Sequence, residues 1–249
     1  MQKYANPTRF MKIADAVLPW LTTATVILFV AGLYLTSVAP PDYEQGHTVK
    51  IMFIHVPSAW LAMMCYTIIA ASSVGSLIWR HPLADVSAKT AVPIGVAFTF
   101  LALVTGSLWG KPMWGTYWVW DARLTSVLVL FFLYLGLMAL WQAIEDPSRA
   151  GRSAAILAIV GFVNVPIIKF SVDWWSTLHQ PASVVKMSGP AIHSSILIPL
   201  LVMAAAFTCL FFVLHLRAMQ NEILRRRVMA MRLLQVERAA NVEAGAPAE

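Results

Sequence analysis

The sequence predicts an all-α integral membrane protein with six transmembrane helices and both termini cytoplasmic. Composition is the first reason: 59% of the 249 residues are apolar and 12% are charged, where a soluble domain carries about a quarter charged residues. The second is where the charges fall. They leave charge-free runs at 16–41, 51–79, 90–110, 124–144, 153–168 and 187–216, and about 20 apolar residues cross a bilayer as a helix. The fifth run is short, but Lys169 can snorkel and Phe170 to Val172 extend it. The third is an asymmetry of cations. Of the 18 Lys and Arg residues, Lys50, Lys111, Arg123, Lys169 and Lys186 lie in the loops at 40–50, 109–123 and 169–190, and the rest lie in the termini and the loops at 80–89 and 142–152. The positive-inside rule therefore puts the first set of loops outside. The net charge of +6 reflects topology and gives no signal for nucleic-acid binding.

Taken in order, the first helix is expected after Pro19, with Trp20 near its inner end, and stops before Pro40-Pro41. Ser37-Val38-Ala39 has the look of a signal-peptide cleavage site, but Pro40 and the length of the apolar run favour a retained helix. An outer loop follows with Asp42, Glu44 and a solvated His47. Helix two opens at Lys50 and carries His55-Val56-Pro57 near its outer end, with Trp60 about one turn deeper. Helix three contains Gly106-Ser107-Leu108-Trp109-Gly110, a spacing that permits close helix approach. Asp121 reads as the N-cap of helix four. Arg123, in its first turn, opposes the helix dipole at a cost of roughly 0.3–1 kcal/mol if exposed, which Asp121 or a ligand carboxylate would offset. Helix five starts at Ser153 and is broken near its outer end by Asn164 and Pro166, and His193 opens helix six.

Residues 1–216 thus form the membrane domain and 217–249 a basic cytoplasmic tail. In the tail, apolar positions 224, 228 and 231 recur at helical spacing around Arg225-Arg226-Arg227, as in an amphipathic helix for anionic lipid or a cytoplasmic partner. The Ala/Gly/Glu-rich end is expected to be disordered. Cys65 and Cys209 lie in apolar helices, in neither a CxxC nor a CxxCH pattern, and serve as small apolar side chains.

The stretch 109–125 concentrates the chemistry: Trp109, Trp114, Trp118 and Trp120 with Tyr117, shaped by Gly110, Pro112 and Gly115 and closed by Asp121 and Arg123. If helical, it puts Trp114 and Trp118 on one face and presents a continuous ring surface. A second aromatic cluster, Trp174-Trp175-Ser176-Thr177-Leu178-His179-Gln180, lies on the same side, so His55, His179 and His193 gather near the outer tryptophans. A planar, apolar ligand with an iron centre and acidic edges uses all of these features, and haem is such a ligand. A quinone-reactive cytochrome b fits less well, because its ligand pairs sit at two depths. The permease half of a pump is compatible with six helices, although Gly110-Lys111 lacks the glycine and Ser/Thr of a P-loop.

The tryptophan loop, His55-Val56-Pro57 and the TLHQ segment 177–180 together resemble the "WWD" signature of the CcmC family, haem-handling proteins of cytochrome c biogenesis. The resemblance runs from about Trp20 to about Leu216. It implies that His55 and His179 are axial ligands of the haem iron, with His193 a second choice. It implies too that Trp109, Trp114, Trp118, Trp120, Asp121 and Arg123 hold the haem. The expected cargo is non-covalent haem b, bound at the periplasmic face of a bacterial inner membrane. It is delivered to the haem chaperone CcmE, with CcmD and the ABC transporter subunits CcmA and CcmB as partners. The alternatives are a permease-type subunit moving haem across the membrane or a membrane cytochrome b. No enzyme is expected, since neither paired carboxylates nor an activated nucleophile appear on the outer side.

Overall fold

The structure, a computed structural model, describes residues 6–180, 183–184 and 189–245, with side chains to residue 240. Lys186 and the tail end at 246–249 lie outside the described residues. Among the described residues seven α-helices follow one another: α1 (Pro7–Val38), α2 (Met52–Trp79), α3 (Pro82–Trp114), α4 (Ala122–Ala143), α5 (Pro147–Gly161), α6 (Asn164–Trp174) and α7 (Ser194–Gly245). A short 3-10 helix, His47–Ile51, leads into α2. They make six candidate spans, because α5 and α6 together form one, Pro147–Trp174. Among the described residues there is no strand, and the expected all-α architecture of six apolar spans is what forms.

Local signals set the helix ends. Asp121 Oδ1 accepts from Leu124 N at 2.8 Å, which is the expected cap of α4. Asp146 caps α5 in the same way, accepting from Ser148 N and Arg149 N with Pro147 as first residue. The fifth span starts at Pro147 and not at the expected Ser153, because Asp146 caps it. Its expected break, where Pro166 lacks an N–H, falls between Gly161 and Asn164, nearer the middle of the span than its outer end. The first helix differs from expectation. It begins at Pro7, not after Pro19, because the Asn6 side chain caps Thr8 N at 2.8 Å and Pro7 has the right φ for a first position. Pro19 sits inside α1, where the loss of one N–H leaves the rest of the ladder intact.

The α2–α3 hairpin is the centre of the bundle, with α7, α5 and α4 packed around it and α1 lying outside on α7. Tyr66, Tyr134, Phe53 and Phe211 are the largest fully buried side chains. Tyr134 and Tyr66 meet edge to face at 5.2 Å, and the Tyr134 hydroxyl donates to Ala62 O at 2.7 Å, tying α4 to α2.

At the arginine-rich end, α7 leaves the apolar positions Leu224, Val228 and Met231 of the amphipathic pattern exposed. It runs on without a break, and its first basic turn docks on the protein itself. Glu222, buried, takes ion pairs from Lys89 at 3.0 Å, Arg225 at 2.7 Å and Arg226 at 2.8 Å, while Arg226 also reaches Asp85 at 2.6 Å. Gln220 donates to Asp15 at 2.8 Å and Arg227 to Thr8 Oγ1 at 3.1 Å, so the start of the tail clamps α1 and α3.

Candidate functional site

At the opposite end of the bundle a cavity of about 270 Å³ lies between α2, α3, α4, α6 and the loop after α6. His55, His179, Trp109, Trp114, Trp118 and Arg123 all line it. The two histidines come from segments 124 positions apart, so the fold, and not local sequence, brings them together.

His55 stands one turn into α2 and is held by α3. Its Nδ1 is 3.0 Å from the carbonyl oxygen of Ala102 and 3.2 Å from Thr105 Oγ1. A carbonyl only accepts, so Nδ1 carries the proton and Nε2 keeps its lone pair. Trp109 packs against the ring edge to face at 5.7 Å, and its indole N–H is fixed by Gln45 Oε1 at 2.9 Å. The glycines of the GxxxG pattern serve this pocket. A Cβ on Gly106 would sit 2.8 Å from His55 Cε1, and one on Gly110 would sit 2.9 Å from the Trp114 ring. The spacing read as a helix-approach motif is room for an imidazole and an indole.

His179 reaches the same state by local means. Its Nδ1 faces Gln180 O at 3.0 Å, so it too donates and leaves Nε2 as the free base. Its backbone N–H is held by Thr177 Oγ1 at 3.1 Å. Burial lowers its pKa from the ordinary value, and the Arg123 charge lowers it further, against raising by the Gln180 carbonyl and Asp121. The ring is therefore neutral at pH 7. His193 has the opposite wiring: its Nδ1 accepts from Ser195 N at 3.3 Å, it is exposed, and it does not line the cavity.

The aromatic loop is not the continuous helical platform that the spacing suggested. α3 ends at Trp114 because Gly115 turns into the left-handed region at φ 74° and bonds back to Lys111 O at 3.0 Å. Trp118 then lies in the loop between α3 and α4, outside any helix. Trp114 is tilted 57° to the His179 ring with centroids 6.5 Å apart, and Trp118 meets Trp120 edge to face at 5.5 Å. Trp120 is 75% exposed and, like Asp121, stands outside the cavity lining. Trp174 and Trp175 are half exposed and also outside it, and Trp174 stacks on Phe170 at 5.4 Å. They read as an interfacial aromatic belt.

Two buried polar atoms here have no protein partner, the Trp118 indole nitrogen and Asp121 Oδ2. Asp121 and Arg123 do not form the ion pair considered for them. Arg123 instead bridges to α6, donating from Nε to Ser171 Oγ at 2.7 Å and from Nη2 to Lys169 O at 3.4 Å. Among the described residues, Nη1 has no hydrogen-bond partner. The cavity thus offers two neutral imidazole nitrogens, indole walls and one guanidinium. Among the described residues no three His, Cys, Asp or Glu side chains converge, so a metal here would need its other ligands from elsewhere, as a porphyrin provides. Gln45 and Thr105 escaped sequence reasoning, since their roles depend on contacts between distant segments.

Comparison with known proteins agrees with the resemblance. The family model described as heme exporter protein C, CcmC, matches residues 1–234. A heme exporter protein C of Bradyrhizobium diazoefficiens is 67% identical over 236 residues, 95% of this chain and 90% of that protein. Those of Escherichia coli K12 and Paracoccus denitrificans are 45% and 42% identical, over 90% and 92% of this chain and 91% and 95% of theirs. With a family match over residues 1–234 and a relative at 67% identity, the chain belongs to the CcmC family of membrane haem-handling proteins in cytochrome c biogenesis.

Proposed function

We propose that the protein binds haem b non-covalently, with the iron between His55 Nε2 and His179 Nε2, and presents it to the haem chaperone CcmE. The observation that carries this is the matched wiring of the two histidines. Each donates from Nδ1 to a backbone carbonyl, and both line one aromatic cavity with Nε2 unprotonated. Trp109, Trp114 and Trp118 flank the porphyrin, and Arg123 takes a propionate. The Trp118 indole N–H, buried without a partner, is a second donor for a cargo oxygen. Bound haem supplies the four remaining iron ligands. Trp120, exposed beside this cavity, suits the face that the chaperone approaches.

The site faces the periplasm of a bacterial inner membrane in this reading, because the cation-rich helix ends and the Glu222 clamp belong to the opposite side. CcmD, CcmA and CcmB are the partners proposed within the membrane complex, on the family name alone. A cytochrome b would set a further ligand pair at the other depth. There, His215 is stacked on Phe211 and its Nε2 is engaged with Ser87 at 3.2 Å. A visible spectrum of the purified protein tests the reading. A bis-histidine Soret band that acid–organic extraction removes supports it, and colour that stays with the denatured chain contradicts it.

A further inference from the structure

The cavity has a side as well as a top. Val56, Trp60 and Met63 line it from α2 at i, i+4 and i+7, one stripe of that helix, and Lys169, Val172 and Asp173 line it from α6 at i, i+3 and i+4. A residue that both lines a cavity and is exposed marks its mouth. On α2 that residue is Trp60, 36% exposed, and on α6 they are Lys169 and Asp173. The two stripes face one another across a seam that hardly packs. The reason is the break in the fifth span: α5 packs on both α2 and α4, but beyond Gly161 the chain stays with α4, where Asn164 Nδ2 is held by Ser126 O at 2.8 Å, and draws away from α2. Among the described residues, the outer half of α2 is left without a helix packed on that side.

Depth decides what lies outside this mouth. Trp60 is eight residues below the first residue of α2, about 12 Å along the helix. That is inside a hydrocarbon layer of about 30 Å, so the mouth opens on lipid tails. Lys169, with its long stem and charged head, stands nearer the end of its span and can reach the headgroup level.

We propose that the seam between α2 and α6 is a lateral portal by which haem passes between the outer-leaflet lipid and the two histidines. Trp60 is its stacking contact on the hydrocarbon side, and Lys169 is the cation that meets the propionates at the rim. The portal fits an amphipathic tetrapyrrole in particular. Such a molecule lies in a leaflet with its ring among the tails and its carboxylates at the headgroups, and it can slide in edge first without crossing water. This proposal rests on the haem-binding reading above.

The test uses the full chain in phosphatidylcholine vesicles, in a Cys209→Ser background because Cys65 is buried. Trp60→Cys is compared before and after reaction with pyrene maleimide, a bulky lipid-soluble plug. Haem is supplied either dissolved in the vesicle bilayer or bound to albumin in the water, and Soret changes give the two loading rates. Labelling is expected to lower the ratio of bilayer to albumin rates tenfold or more, a barrier rise of about 1.4 kcal/mol. The same label at Val129→Cys, lipid-facing on α4 and outside the cavity lining, leaves the ratio unchanged. A ratio unaffected by the plug at Trp60, whether both rates fall together or neither does, overturns the portal. Failure of the Cys209→Ser protein with Trp60 intact to take up haem from either source refutes the haem reading itself, and the portal with it.

Discussion

Gly106 of α3 lies directly against the imidazole of His55: a Cβ at position 106 would be 2.8 Å from Cε1 and 3.3 Å from Nδ1. The ring cannot simply yield, because Ala102 O and Thr105 Oγ1 hold its Nδ1. Gly106→Ala is therefore expected to displace the ring or break its hydrogen bond, at about 1–3 kcal/mol of overpacking, and to weaken haem retention while the protein still inserts. Haem per protein after purification checks it. Full occupancy in Gly106→Val, a larger insertion, would mean that His55 does not need its present position.

At the other end, Glu222 holds three cations with a side chain only 8% exposed. Glu222→Ala leaves Lys89 and Arg226 facing each other. A fully buried broken pair costs about 3–5 kcal/mol, and partial solvation of the arginines reduces this to about 1–3. Thermal unfolding in detergent should show the loss, with Arg225→Ala, at the most exposed partner, showing much less. Truncation after Arg238 should spare haem binding. Reporter fusions should place Arg225 to Arg227 in the cytoplasm, and a tail reporter active only in the periplasm would invert every placement made here.

His179 supplies a pH test. Burial and Arg123 lower its pKa below the ordinary 6.5, whereas Asp121 raises it. In the apo protein its NMR titration should fall below 6.5, and Asp121→Asn should move it further down. The sign for stability follows. Between the lowered folded value and 6.5 the unfolded chain binds the extra proton, so His179 makes folding less favourable as pH falls through that window. A midpoint at or above 6.5 would contradict the buried, neutral ligand.

Trp114→Ala with Trp118→Ala should weaken haem binding in a way that added imidazole does not restore, because the lost contact is with the porphyrin and not with iron. Trp120→Ala, outside the lining, should affect binding far less. Equal losses in both would mean that the loop closes over the ligand differently.

Much of this was legible in residue order. Spans are a matter of composition, and Asp121 or Asn164 with Pro166 act within one or two turns of themselves, so the α4 cap stands as predicted and the fifth span does break, nearer its middle than expected. What failed was contact between distant segments. The function of Gly106 depends on a histidine 51 positions away, and the basic turn of α7 meets Asp85 and Thr8 only after folding. Asn6 was a readable cap that Pro19 overshadowed. The tryptophan loop misled because helical spacing was assumed across Gly115, whose positive φ ends the helix.

The ligand assignment is tested most directly by the visible spectra of His55→Ala, His179→Ala and His193→Ala, with and without imidazole. His55→Ala and His179→Ala should insert but lose haem, and free imidazole should partly restore the band by filling the vacant axial position. His193→Ala should keep its haem, since its Nδ1 is used by Ser195 N and it stands outside the cavity. Loss of haem in His193→Ala with rescue by imidazole, while His179→Ala keeps its spectrum, would contradict the assignment and move the second ligand to the start of α7.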